Sequence, residues 1–169
     1  GLPLTKPLWR WTSVACTHDG HLHYHRVAAL KHMWENGLYF SRWMPDLAFG
    51  YGYPFFIYRE AMPLYAVLVP HWLGLPLSAA SNLFYAICIL TAGVGMFLWV
   101  RDLFGEMSGI VSGMAYMAAP YVLIDAFVRG NAPESIGLAV MPWILWTGRR
   151  WMVNRGWKAF LGTVFGLGV

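Results

Sequence analysis

The run from Ala79 to Val100 carries no charged residue, and no other feature restricts the fold so severely. A bilayer core of about 30 Å is crossed by roughly 20 apolar helical residues, and this run exceeds that length. In lipid, a helix satisfies its own backbone hydrogen bonds, which an open strand or irregular segment cannot do. A second uncharged run, Met107 to Ile124, is nearly as long. Ser135 to Gly148 is uncharged but shorter, and spans if Arg149 and Arg150 snorkel while Trp151 to Val153 extend it. A further apolar run begins at Ala159 and the sequence stops inside it. The expectation is an all-α, polytopic transmembrane bundle, with about four spans over 79–169 and the last one truncated.

Composition agrees. Charged residues make up 12% of the chain and hydrophobic residues 58%, about half the charge of a soluble domain. Aromatics reach 17%, ten of them Trp, the residue type that collects at membrane–water interfaces. Gly1-Leu2-Pro3 has neither an initiator methionine nor a signal-peptide pattern. With the apolar run cut at its far end, this leads us to expect a fragment of a longer protein. Cys16 and Cys88 lie far apart in different surroundings and suggest neither a disulfide framework nor a zinc site.

The net charge of +4 does not point to nucleic acid. Arg149, Arg150, Arg155 and Lys158 gather in one short loop between apolar runs, the pattern of a cytoplasmic loop. Placing 149–158 in the cytoplasm puts 125–134 outside, Arg101–Glu106 inside, and the start of Ala79–Val100 outside. Residues 61–74 hold Pro63 and Pro70 and are short, which suits a helix lying in the interface. Residues 1–78 then form a long outer segment, with 1–60 wholly outside. Within it a helix is expected from about Asp19 to Asn36, ended by Gly37, followed by a Gly/Pro-punctuated loop over 49–54.

Chemistry concentrates in Thr17-His18-Asp19-Gly20-His21-Leu22-His23-Tyr24-His25-Arg26. At a helix start, Thr17 or Asp19 caps the backbone amides. Asp19, His23 and Arg26 fall on one face, where a carboxylate, an imidazole and a guanidinium can take a proton and bind an anion. The same spacing also describes a capped helix with a solvated polar face. His21, His23 and His25 come without a clear third zinc ligand. A second cluster runs Asp125-Ala126-Phe127-Val128-Arg129-Gly130-Asn131-Ala132-Pro133-Glu134, with Glu134 opening the next helix. Charges here also mark where spans end. Arg42 and Arg59 are further outer-face cations, open either to a lipid phosphate or to pairing with Asp46 or Glu60.

The order His18-Asp19-Gly20, His23, Arg26, then Arg42-Trp43, Pro45-Asp46-Leu47, then Gly50-Tyr51-Gly52-Tyr53-Pro54 and Phe56 resembles a group of large bacterial membrane proteins. That group is labelled 6-pyruvoyl-tetrahydropterin-synthase-related. The match continues through Ala119-Pro120-Tyr121, Val128-Arg129-Gly130 and Glu134. The layout looks like the GT-C superfamily of polyisoprenyl-phosphate-dependent glycosyltransferases, in which two outer loops each supply an acidic residue. The resemblance implies a membrane glycosyltransferase of the bacterial inner membrane, using a polyprenyl-phosphate-linked sugar. It implies Asp19 as general base or metal ligand, with His23 beside it, and Glu134 (or Asp125) as the second acidic residue. It implies Arg26, Arg129 or Arg42 as phosphate-binding groups. A divalent metal ion held by Asp19 and Glu134 is the one cofactor it suggests. Two other readings remain open: a non-catalytic subunit of a larger membrane complex, and a transporter of a lipid-linked substrate.

Overall fold

The computed structural model describes residues 2–9, 13, 16–154 and 157–167. It is helical throughout, and among the described residues the one extended pairing is an isolated bridge between Met44 and Tyr53. In chain order the helices are α1 (Leu2–Thr5), α2 (Gly20–Glu35), α3 (Phe55–Tyr58), α4 (Met62–Trp72), α5 (Leu77–Phe104), α6 (Glu106–Met117), α7 (Pro120–Ile124), α8 (Ala132–Asn154) and α9 (Trp157–Leu167). Arg155, part of the expected basic loop, lies outside the described residues.

Helix α5 is the spine, packed against α6, α8 and α4. Gly105, at φ 89°, reverses the chain directly into α6. The two helices then run antiparallel at close range, because a Cβ on Gly113 would sit 2.8 Å from the Gly93 carbonyl oxygen. Small residues at such contacts let helix backbones approach without a bulky layer between them. Helix α8 returns alongside α5, and the Trp143 indole N–H donates to the Thr91 carbonyl at 2.9 Å. Helix α9 folds back on α8, where the Thr163 and Thr147 hydroxyls are 3.2 Å apart.

Two stretches, Leu77–Phe104 and Glu106–Arg129, are long and apolar enough to cross a bilayer. Only 22% of the most apolar window in the second is buried within the bundle, so Met107, Ile110, Val111 and Met114 face outward. That second stretch is not one regular helix, contrary to the single span expected over Met107–Ile124. It breaks at Ala118 and Ala119, where Ala119 adopts ψ 131°. Pro120 explains the break, since its ring disfavours helical backbone at the residue before it. The third expected segment, Ser135–Gly148, belongs to the longer α8, which accommodates Pro142 in its interior.

The N-terminal half lies across one end of this bundle. Helix α2 packs on α4 and α5, burying His23, Val27, Leu30 and Met33 on one stripe. Its bounds lie one residue inside the expected Asp19–Asn36, and Gly37 at φ 80° ends it. Helix α4 falls within residues 61–74, the segment expected to be helical. It buries Leu64, Val67 and Leu68 and leaves Met62, Val69, Trp72 and Leu73 exposed.

Candidate functional site

The start of α2 docks on the segment between α7 and α8. The His18 amide donates to the Val128 carbonyl at 2.9 Å, and the Asp19 amide donates to the Arg129 carbonyl at 2.7 Å. The two polar clusters of the sequence, more than a hundred residues apart, therefore meet backbone to backbone. The local chain is built for that contact. After α7 the helix widens over Asp125–Arg129, and the Gly130 amide closes the turn on the Asp125 carbonyl at 2.7 Å. Gly130 then turns out of the helix at φ 68°, a left-handed conformation that L side chains resist. A Cβ there would lie 2.1 Å from the Thr17 hydroxyl and 2.9 Å from the Gly20 nitrogen. Only glycine fits against the start of α2.

Thr17, not Asp19, caps α2: its hydroxyl accepts the Gly20 amide at 3.0 Å. The Asp19 side chain makes no capping bond, and it is half-buried. Among the described residues its carboxylate has no hydrogen-bond or ion-pair partner, although it lies close enough to Arg26 and His23 to act on their charge. Glu134 is the opposite case. Arg129 pairs with it at 2.7 Å, Asn131 donates to it at 3.1 Å, and the Tyr121 hydroxyl also donates to it. Arg129 reaches the Tyr121 hydroxyl at 3.2 Å as well. Asp125 is fully buried, accepts from the Ser135 hydroxyl at 2.5 Å, and lies 3.9 Å from the Arg129 guanidinium. From below, the Tyr85 hydroxyl of α5 donates to the Gly130 carbonyl at 2.6 Å.

His23 turns inward. It lines an enclosed cavity of about 20 Å³ together with Gly20, Tyr24, Ser81, Tyr85 and Ala132, which is room for about one water. Burial, reinforced by the nearby Arg26 charge, pushes its imidazole down from 6.5 to about 4. At neutral pH it is therefore uncharged. Arg26 is one turn further, its guanidinium 4.9 Å from the centre of the Phe55 ring. With Arg59 it lines an open pocket of about 270 Å³, on the other side of α2 from the His23 cavity. Burial and the Arg59 charge both lower its pKa.

Of the residues singled out from sequence, Asp19 and Arg129 meet through their backbones, and the Arg129 side chain pairs with Glu134 close to the buried Asp125. Arg42 stands apart on the exposed loop before α3. It does not pair with Asp46, which instead accepts from His32 at 2.7 Å. Among the described residues no three His, Cys, Asp or Glu side chains are gathered to hold a metal. Three donors, one of them a fixed cation, already converge on Glu134, and this arrangement does not suit a divalent ion there. The sequence reading missed Tyr85 and Ser135, which sit in apolar runs and read there as core. It also missed the contribution of Tyr121 and Asn131.

No family model matches the chain, and no solved structure matches it. A protein of Lactococcus lactis subsp. cremoris, described only as an uncharacterized protein, is similar to it. The two are 20% identical over 153 residues, covering 88% of this chain and 25% of that protein. The chain thus spans about a quarter of the length of the relative it matches.

Proposed function

We propose that this chain carries the donor-side face of a multi-pass membrane glycosyltransferase, resembling the GT-C superfamily and using a polyprenyl-phosphate-linked sugar. The observation that carries the reading is the docking of Asp19 onto Arg129, whose guanidinium pairs with Glu134 at 2.7 Å. The half-buried Asp19 carboxylate and a held arginine–carboxylate pair then share one end of the bundle. In the topology that follows, residues 1–60 and 125–134 face the outside of the bacterial inner membrane and 149–158 face the cytoplasm.

In this reading the acceptor hydroxyl oxygen attacks the anomeric carbon of the sugar as its proton passes to the Asp19 carboxylate. The bond from that carbon to the phosphate oxygen breaks, and its electron pair leaves with the polyprenyl phosphate. Arg129 stabilises the charge that grows on the phosphate, and Glu134 with Tyr121 and Asn131 fixes its guanidinium. His23, neutral and buried, orients the α2 face rather than taking the proton. A fixed guanidinium serves in place of a metal ion.

The test uses the full-length protein in vesicles with labelled polyprenyl-monophosphate and polyprenyl-diphosphate hexoses. Label should leave the lipid, and Asp19→Asn should slow its loss by at least about 100-fold without changing thermal unfolding. If no donor is turned over, or if Asp19→Asn works as well as the parent, the assignment fails.

A further inference from the structure

A second polar site stands on the far flank of α2. The open pocket of about 270 Å³ is lined by Arg26, Arg59, Tyr53 and His25 over a floor that includes Leu22 and Phe55. It is just below the size range of pockets that enclose a whole small ligand, so it suits a headgroup rather than an entire amphiphile. Neither guanidinium has a hydrogen-bond or ion-pair partner among the described residues. Glu60 and Asp19 each temper the Arg26 charge, but neither closes on it as an ion pair. Two guanidiniums in one pocket repel each other, and a ligand anion between them removes that cost while offering both forks an acceptor.

The walls argue for what is attached to that anion. The pocket also takes in Ala48, and Ala48 and Phe49 both hold left-handed backbone, at φ 54° and 58°. Non-glycine residues in that region are strained and mark positions fixed for a purpose. Phe49 is fully exposed, at 103%, and Tyr51 is 86% exposed. Tyr58, next to Arg59 in the chain, is 71% exposed. These three aromatics do not line the pocket but lie close to its lining residues in the chain, and exposed aromatics next to cations match the layer where lipid headgroups meet acyl chains.

We infer that the Arg26–Arg59 pocket binds the phosphate headgroup of a membrane amphiphile, with the exposed Phe49 and Tyr51 lying against its apolar chain. The inference does not rest on glycosyl transfer and holds for a catalytic or a non-catalytic protein. The same phosphate chemistry could arrive as free phosphate, and the assay separates the two.

The full-length protein in neutral detergent would be titrated with dihexanoyl phosphatidic acid, with dihexanoylglycerol and with inorganic phosphate, following intrinsic tryptophan fluorescence and thermal unfolding. Phosphatidic acid should bind and stabilise, weakening as salt rises, while the uncharged glyceride should not. Arg59→Gln should raise the Kd at least tenfold and Arg59→Lys less. Phe49→Ser should weaken phosphatidic acid only. Arg59 is exposed and unpaired, so its variants should fold, and the unfolding curve without ligand confirms that directly. Inorganic phosphate binding as tightly as phosphatidic acid would overturn the amphiphile assignment. Phosphatidic acid binding that ignores Arg59 would overturn the site.

Discussion

The two ends of the bundle hold comparable numbers of charges and use them differently. At one end, a backbone bond between Asp19 and Arg129 joins distant segments, the Arg129 side chain pairs with Glu134, and Asp125 is fully buried. At the other, Arg101, Asp102 and Arg150 sit along the ends of α5 and α8. There Asp102 accepts from the Trp146 indole at 2.9 Å and lies 3.7 Å from Arg150 and 3.5 Å from Arg101. Arg150 also lies over the Trp146 ring at 5.0 Å. The second end is a surface rim whose pairs are screened by solvent. The first is a built junction, where polar groups leave water because specific partners receive them. Charge alone does not distinguish a site from a rim, but shared backbone contacts and burial do.

The largest expected effect breaks the junction outright. Gly130→Ala must escape both the φ of 68° and the clash with Thr17, so it should destabilise by about 3 kcal/mol or more in thermal unfolding. If it costs no more than an exposed glycine such as Gly137, the docking of α2 on this turn is wrong. Next comes Tyr85→Phe, which strands the Gly130 carbonyl it now serves at 2.6 Å. It should cost about 1–3 kcal/mol.

A pH titration sharpens the same contrast. The folded-state pKa of His23, about 4, lies below its ordinary 6.5, so the unfolded chain binds more protons between those values. The stabilising contribution is complete above pH 6.5 and is lost as pH falls toward 4, about 3 kcal/mol at most. His23→Gln should flatten that part of the curve, and an unchanged slope would mean that His23 is not buried. The smallest effect belongs to the rim. Arg150→Ala should shift unfolding by less than about 0.5 kcal/mol, and a larger loss would make the two ends alike.

Much of this was legible in the sequence. Uncharged length gave the long helices, because nothing but a helix stays satisfied over Ala79–Val100. Gly37 gave the end of α2, because a left-handed residue closes a helix. Pro120 also held the signal for the break before α7, but counting uncharged residues passes over it. Other features were not legible. The widened turn over Asp125–Arg129 is a single turn of five residues, too short to leave a mark in hydrophobic periodicity. Tyr85 reads as a core aromatic until the Gly130 carbonyl is placed above it. The meeting of Asp19 with Arg129 was expected only as a shared face, and a sequence carries no register between distant segments. The pocket under Arg59 forms because the loop from Leu47 to Tyr53 folds back beside α2, pinned by the paired amides of Met44 and Tyr53.

The most direct test of the central claim is cross-linking of His18→Cys with Val128→Cys in the full-length protein within its membrane, after Cys16 and Cys88 are replaced by serine. A disulfide forms without backbone movement only when the two Cα atoms lie within about 7 Å, and the His18 amide is 2.9 Å from the Val128 carbonyl. The account predicts rapid bridging under mild oxidation, with both thiols open to the same membrane-impermeant reagent from outside. Failure to bridge, or labelling of the two thiols from opposite sides, would contradict it.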